Sequence, residues 1–474
     1  MEHLFPGPVL EALSGAPREP AFEVGRRIVS RAELLAMVRR LAGALGGAGV
    51  RPGAAVGLVL SLSPEAYAVH LAAHAWGCRV APARPGWSPV QLAHALRGQD
   101  VVITDSTVDT PVDAPVLYLD ELLTAPDPGG VVPELQARPD DIARLTYTSG
   151  STGQPKACAH TYRAISLAYR PDRWAPTLMR LLTHFRRCLI HQSLASPVMF
   201  TYLGRTLVAG GTVVLPDGLS LPRTIRDHRV TATIIPPARI NELLAAEADV
   251  TSLRALVLGG SPAGPQLLRT ATDRLGPIIW MGYGQGEAGV IAMLTPEDIA
   301  AGHLASVGRP MPGVDVQIRD GEVCVRSPHM MTGYWNDPDQ TGEVLRDGWL
   351  YTRDLGFLDD DGLLHLTGRS RDVIMVRAEV CYAGAIERAL ASHPLVAAAY
   401  VVGRPDPETG EAVHAFVVPA GDLVPDAGAL TALVRGRLSA NSVPRTVTVI
   451  RDVPVAASGK PDKDALRTIA GSDA

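Results

Sequence analysis

Cysteine is scarce in this 474-residue chain. Its five cysteines, Cys78, Cys158, Cys188, Cys324 and Cys381, form no CxxC pair and no Cys/His group at metal-ligand spacing. An odd, scattered set argues against a disulfide framework and fits a reducing cytoplasm. Also missing is any run of about 18 apolar residues, the length a membrane-crossing helix needs. The start, Met1-Glu2-His3, has no basic stretch leading into an apolar core, so neither export nor a membrane location is expected. Charge of one sign is lacking too. With 44 Lys and Arg against 49 Asp and Glu the net charge is −5, too weak a field to gather nucleic acid or an anionic membrane. Aromatic residues make up only 5% of the chain, an absence that excludes nothing. Apolar residues are plentiful at 46%, and the length exceeds what one core usually supports. These features describe a multi-domain globular protein that handles small molecules.

Short apolar runs alternate with amphipathic stretches through the first two thirds. Ala55 to Leu60 reads as a strand, Glu65 to Trp76 as a helix and Arg79 to Ala83 as a strand. Further strands are expected at Thr212 to Leu215, Thr231 to Ile235, Ala255 to Leu258 and Ile278 to Met281, each followed by Gly, Pro or Ser. This is the grammar of an α/β domain with a large covered sheet. From Asp320 the signals become closely spaced strands and turns, among them Gly321 to Val325 and Leu363 to Leu366. Past Gly368 to Asp372, a helix at Gly384 to Ser392, strands at Val396 to Val402 and Ala412 to Val418, and a helix at Ala427 to Leu438 suffice for a small α+β domain. The expected division is residues 1–370 and residues 371–474.

The segment Thr148-Ser149-Gly150-Ser151-Thr152-Gly153-Gln154-Pro155-Lys156 follows an apolar run and precedes an expected helix, His160 to Tyr169. Its glycines allow close backbone approach, its hydroxyls and N–H groups can donate to phosphate oxygens, and its lysine adds a point charge. Pro155 before the lysine separates it from a Walker A loop. By composition alone a polar surface turn is also open.

The segment closely resembles the phosphate loop of the adenylate-forming superfamily, which includes acyl-CoA synthetases, nonribosomal peptide adenylation domains and firefly-type luciferases. Further segments resemble that family's motifs in its order, from about Ser30 to Arg467. Gly259-Gly260-Ser261-Pro262 resembles the turn along adenine, and Tyr283-Gly284-Gln285-Gly286-Glu287 the Tyr-Gly-x-Thr-Glu motif, with Gly286 in place of threonine. Gly321-Glu322 and Gly333-Tyr334-Trp335 resemble segments with mainly structural roles. Tyr351-Thr352-Arg353-Asp354 resembles the ribose motif, with Arg353 where glycine is usual. Gly368-Arg369-Ser370-Arg371-Asp372 resembles the hinge, and Ser458-Gly459-Lys460 the C-terminal lysine motif.

The resemblance implies a large multi-sheet N-terminal domain that binds ATP and an acid, and a smaller, mobile α+β domain that carries the catalytic lysine. It assigns ATP contacts to Thr148, Ser149, Gly150, Ser151, Thr152, Gly153, Lys156, Gly260, Ser261, Pro262, Tyr283, Gly284, Asp354 and Arg369. It makes Glu287 the Mg2+ ligand and a catalytic residue, Arg371 the hinge pivot and Lys460 the catalytic lysine. The acid pocket is expected around Ser196, Pro236, Met281 and Gly282. Gly284 to Gly289 also fits GxGxxG, but a carboxylate inside that loop would face pyrophosphate, so a dinucleotide site is disfavoured.

Expected chemistry follows: attack of a carboxylate on the α-phosphate of ATP, release of pyrophosphate, then transfer, with CoA, a carrier-protein thiol or an amine as candidate acceptors. Ala195-Ser196 stands where many relatives have Phe-His, and Ala378 stands in a turn that often contains glycine along the thiol tunnel. These departures suggest specialised metabolism and an aryl or acyl substrate. Activation of an unusual acid such as nitrite, and a degenerate nucleotide-binding protein without turnover, stay open as alternatives.

Overall fold

The computed structural model describes residues 4–84, 86–108, 110–125, 135–148, 155–245, 249–370, 372–421, 423–456 and 461–470. Ser149, Gly150, Ser151, Thr152 and Gly153 of the expected phosphate loop, Arg371, expected as the hinge, and Lys460, expected as the catalytic lysine, lie outside them.

The apolar runs of the first two thirds become central strands of two large sheets. Among the described residues, a seven-stranded sheet runs in the order Gly333–Tyr334, Lys156–Thr161, Ile142–Thr148, Arg79–Pro82, Ala55–Val59, Val101–Thr104, Val116–Tyr118. A nine-stranded sheet has Ile279–Gln285, Ala255–Gly259 and Ala232–Ile235 as parallel neighbours. All four residues of Ala232–Ile235 are buried, as expected where helices cover both faces of a parallel sheet. Helix Pro64–Ala75 shows how local sequence sets the covering layer. Ser63 caps it by accepting the Ala66 N–H at 3.0 Å, and Pro64 occupies its first position, where no donor is needed. The largest core holds Phe5, Phe22, Tyr67, Tyr169 and Phe200 from this helix and its neighbours.

A third, five-stranded sheet contains Glu322–Arg326, Trp349–Leu358 and Leu364–Arg369. A fourth, also five-stranded, spans Val373 to Val449 and closes on helices Ala383–Ala391 and Ala427–Arg437 over a core of Ile386, Leu390, Val401, Val413 and Leu430. The fold is therefore mixed α/β, with a large N-terminal domain and a smaller C-terminal one. The two touch where a Cβ on Gly384 would lie 3.3 Å from the Gly368 Cα, and where the Arg388 guanidinium donates to the Thr367 carbonyl. No helix among the described residues is long and apolar enough to cross a membrane.

One local expectation fails. Residues His160 and Thr161 are not helical; Lys156–Thr161 is a strand and the helix is Tyr162–Ser166. Antiparallel pairing with Ile142–Thr148, which sets Thr146 against Cys158 and Leu145 against Ala159, overrides the helical pattern by burying Cys158 to Thr161.

The turn between strands Val373–Val376 and Glu379–Tyr382 is strained. Its two central residues, Arg377 at φ 51° and Ala378 at φ 63°, occupy the left-handed region that a tight hairpin of this hand requires. Each non-glycine residue there costs about 1–2 kcal/mol. Ala378→Gly is expected to stabilise the C-terminal domain by about 1 kcal/mol, read as a higher midpoint in denaturant unfolding.

Candidate active site

Three chain segments meet on one buried carboxylate. Asp354, in the middle of strand Trp349–Leu358, is only 3% exposed. A carboxylate so placed is costly unless its oxygens are satisfied. Its Oδ2 accepts from the Tyr283 hydroxyl and from Gln285 Nε2, both at 2.6 Å, and its Oδ1 accepts from Arg369 Nε at 2.7 Å. Gln285 Nε2 also donates to the Thr352 carbonyl at 3.0 Å. Burial and the neighbouring Asp354 charge push the Tyr283 phenol well above its ordinary pKa, so it acts as a donor. The Asp354 charge raises the Arg369 guanidinium still further.

Arg353, in glycine's usual place, has φ 62°. That conformation is held from three sides: its N–H donates to Glu322 at 2.6 Å, its guanidinium pairs with Glu343 at 2.7 Å, and its carbonyl accepts the Ser370 N–H at 2.9 Å. On the neighbouring strands Gly259 pairs with Gly282, which places the Gly260-Ser261-Pro262 turn beside Tyr283 and Gly284. Gly260, at φ 88° with nothing within 4 Å of a built Cβ, leaves an open approach there.

The phosphate end is built by pairing. Thr148 lies opposite Lys156 at the ends of two antiparallel strands. Lys156 Nζ stands 5.1 Å from the centre of the Tyr334 ring, whose hydroxyl donates to Glu287 Oε1 at 2.8 Å. Burial, and next the Glu287 charge, hold that phenol protonated well above its usual range. Lys156, Glu287 and Thr148 are thus brought to one place, with Gly286 between them. A Cβ on Gly286 would fall 2.6 Å from Thr148 Cγ2 and 3.8 Å from Cys158 Sγ. The chain therefore has no room for the threonine usual at this position. Cys158 is wholly buried, and burial keeps its thiol protonated, so it is a packing residue.

The expected acid-pocket residues sit on adjoining elements. Met281 and Gly282 lie on strand Ile279–Gln285, Pro236 follows strand Ala232–Ile235, and Ser196 caps helix Pro197–Val208. The Ser196 Oγ accepts the Met199 N–H at 3.4 Å, so part of its hydrogen-bonding capacity serves the helix. His191 Nε2, 2.7 Å from the Ile234 carbonyl, ties the segment before that helix to the strand leading to Pro236. For a metal, Glu287 is the one expected ligand; no group of three or more His, Cys, Asp or Glu occurs among the described residues. A single carboxylate suits Mg2+, which keeps several waters and takes phosphate oxygens as its remaining ligands.

Tyr334, Gln285 and Glu322 were not among the expected site residues. Tyr334 and Glu322 lie in segments expected only to support the fold, and their carboxylate and backbone partners are far away in sequence. Gln285 fills the variable position of its motif, so the pattern gave it no weight.

Residues 10–335 match the AMP-binding enzyme family, and residues 385–460 match the AMP-binding enzyme C-terminal domain. The chain belongs to the AMP-binding enzyme family. It is an AMP-forming acid ligase of the acyl-CoA ligase type. A feruloyl-CoA synthase from Amycolatopsis sp is 31% identical over 487 residues, covering 95% of this chain and 96% of that protein. The amide bond synthetase McbA from Marinactinospora thermotolerans is 35% identical, with a TM-score of 0.83 over 98% of this chain and 99% of that one. The o-succinylbenzoate CoA synthetase MenE from Bacillus subtilis, solved in complex with its acyl-adenylate intermediate OSB-AMP, is 27% identical, with a TM-score of 0.80 over 97% of both chains.

In this AMP-binding enzyme the Gly286–Thr148 contact makes a clear prediction. Gly286→Ala should cost about 1–3 kcal/mol through overpacking. Adding Thr148→Ser, which deletes the clashing methyl, should recover most of that loss, measured as the coupling energy in a double-mutant unfolding cycle.

Proposed function

We propose that this enzyme activates an aryl or acyl carboxylate as its adenylate at the site around Asp354 and Glu287, and then passes the acyl group to a thiol or an amine. The observation that carries the reading is the convergence of Tyr283, Gln285 and Arg369 on Asp354, with the chain running on from Gln285 to Glu287 of the Lys156–Tyr334–Glu287 group. A buried carboxylate ringed by donors is a ready acceptor for vicinal hydroxyls such as those of ribose. The second group supplies a cation beside an oriented carboxylate, as a polyphosphate with its counter-ion requires.

Glu287 would hold Mg2+, with Tyr334 fixing the orientation of the carboxylate. When bound, the ion offsets negative charge at the phosphates. Asp354 would receive the ribose hydroxyls and Tyr283 would flank the base. Lys156 would hold the leaving pyrophosphate. Lys460 would bridge the incoming carboxylate and the α-phosphate, neutralising two anions that otherwise repel each other. These are fixed charges and dipoles aimed at a developing charge, where one well-placed donor is commonly worth about 3–4 kcal/mol. Gly260-Ser261-Pro262 and Gly284 would line the nucleotide, with Ser196, Pro236, Met281 and Gly282 around the acid. Residues 1–370 and 371–474 would be the two working bodies, joined at Arg371.

A feruloyl-CoA synthase among the relatives supports CoA as acceptor, and the amide bond synthetase, similar over nearly the whole chain, supports an amine. The Arg377-Ala378 turn adds weight to the second reading, since a methyl group stands where a glycine-containing turn often lines the thiol tunnel.

Acid-dependent release of pyrophosphate from ATP, measured over a panel of aryl and acyl acids with and without CoA or amines, tests the reading. Turnover is expected with some acids, and tight ATP binding with no turnover on any would reject it. Lys460→Ala is expected to slow single-turnover adenylation by about 10²–10³-fold with ATP affinity largely kept. An unchanged rate would take Lys460 out of the site.

A further inference from the structure

Two strands of the nine-stranded sheet separate where the acid pocket is expected. Arg187–Leu189 and Ala232–Ile235 run parallel and pair only through Cys188 opposite Ala232 and Leu189 opposite Thr233. Beyond those pairs the first strand leads to Ser196 and the second to Pro236. Open α/β sheets bind ligands in the crevice past the carboxyl ends of such strands.

One side chain bridges the gap. His191 Nε2 lies 2.7 Å from the Ile234 carbonyl, and its Nδ1 lies 3.3 Å from Arg239 Nη1. A carbonyl only accepts and a guanidinium only donates, so the two partners fix the tautomer: Nε2 carries the proton and Nδ1 accepts. Arg239 is aimed at the ring by a neighbour in sequence, since its Nε and Nη2 donate to the two Glu242 oxygens at 2.6 and 2.8 Å. That pair is local, within the turn and helix that follow Pro236. The Arg239–His191 bond is not local; it joins residues 48 positions apart, one from each loop.

This second bond needs the neutral ring. A protonated imidazole carries N–H on both nitrogens and accepts with neither, so Nδ1–H would face the Arg239 N–H groups, cation against cation. The charged groups that face His191 are Arg239 and Glu242. Burial, the largest cause, and the Arg239 charge hold the imidazole below its ordinary pKa, against the Ile234 carbonyl and Glu242, which act the other way.

We propose that His191 and Arg239 are positioning residues that set the separation of the two loops around the acid, and that protonation of His191 frees one loop from the other and weakens acid binding. This inference rests on the adenylation reading above, which puts the acid between Ser196 and Pro236. Because the shift is downward, the brace is fully present above the ordinary imidazole range and is lost as pH falls through the lowered pKa.

The test measures KM for an accepted acid and for ATP from pH about 7.5 to about 5, the range in which imidazoles change charge. The ionisation of the acid itself is common to all variants and cancels in the comparison. In wild type the acid KM should rise toward low pH. His191→Leu should raise the acid KM about two- to tenfold at neutral pH, the scale of one lost hydrogen bond, abolish the further rise, and leave the ATP KM as in wild type. His191→Gln offers one donor and one acceptor and does not titrate; it should recover most of the neutral-pH loss without restoring the rise. Arg239→Met should match His191→Leu, and the double variant should be no worse than either, since both break the same bond. Independently of turnover, the NMR signals of the His191 ring, assigned by their loss in His191→Gln, should show the Nε2–H tautomer at neutral pH and a higher pKa in Arg239→Met.

A low-pH rise that survives unchanged in His191→Gln would overturn the proposal. So would equal effects of His191→Leu on the two KM values, which mark a merely structural role. Failure to turn over any acid would reject the adenylation reading instead. The NMR arm would still decide the brace: Nε2–H with a response to Arg239→Met supports it, and the other tautomer overturns it.

Discussion

Asp354 is the charge around which this protein is arranged. A carboxylate at that depth persists only because Tyr283, Gln285 and Arg369 arrive from two directions to meet it. That requirement fixes more than a side chain. Tyr283 and Gln285 reach it only if strand Ile279–Gln285 continues past its hydrophobic part, and Arg369 only if strand Leu364–Arg369 pairs with Trp349–Leu358 in the observed register, Asp354 opposite Arg369. The third sheet is thereby bound to the nine-stranded sheet through a polar contact rather than through apolar packing alone. Such a network specifies one arrangement because any slip in register strands a buried charge.

The phosphate end follows a different rule, one of volume. Thr148, Cys158 and Gly286 share a space that admits one methyl group and no more. The loss of a hydroxyl at Gly286 and the position of the Thr148 side chain are therefore a single structural fact. The same reasoning applies to Arg353, whose left-handed backbone is maintained by Glu322, Glu343 and Ser370 in place of the freedom glycine would have had. In both places the departure from the family pattern is matched by its neighbours.

Most strands and helices were legible because their signals are local. Buried runs such as Ala232–Ile235, and the Ser63-Pro64 start of a helix, announce themselves within a few residues. Strand Lys156–Thr161 was not legible at its far end, since its conformation is set by a partner strand and not by its own periodicity. The same split holds for the candidate site. Lys156, Glu287, Asp354 and Arg369 stood out through motif context, and the structure places Tyr283, Asp354 and Arg369 together and Lys156 near Glu287 by way of Tyr334. What contacts them did not stand out. The Tyr334 hydroxyl on Glu287 and the Glu322 carboxylate on the Arg353 N–H join residues more than thirty positions apart, and no spacing rule encodes such pairs.

The pairing of Asp354 with Arg369 also has a mechanical side. Arg369 is the last residue of its strand, and the Ser370 N–H beyond it is tied to the Arg353 carbonyl at 2.9 Å. The segment that runs on to the C-terminal sheet therefore departs from a point clamped to Asp354 and its strand. The root of that segment is thus secured by charge and backbone pairing, not by apolar packing.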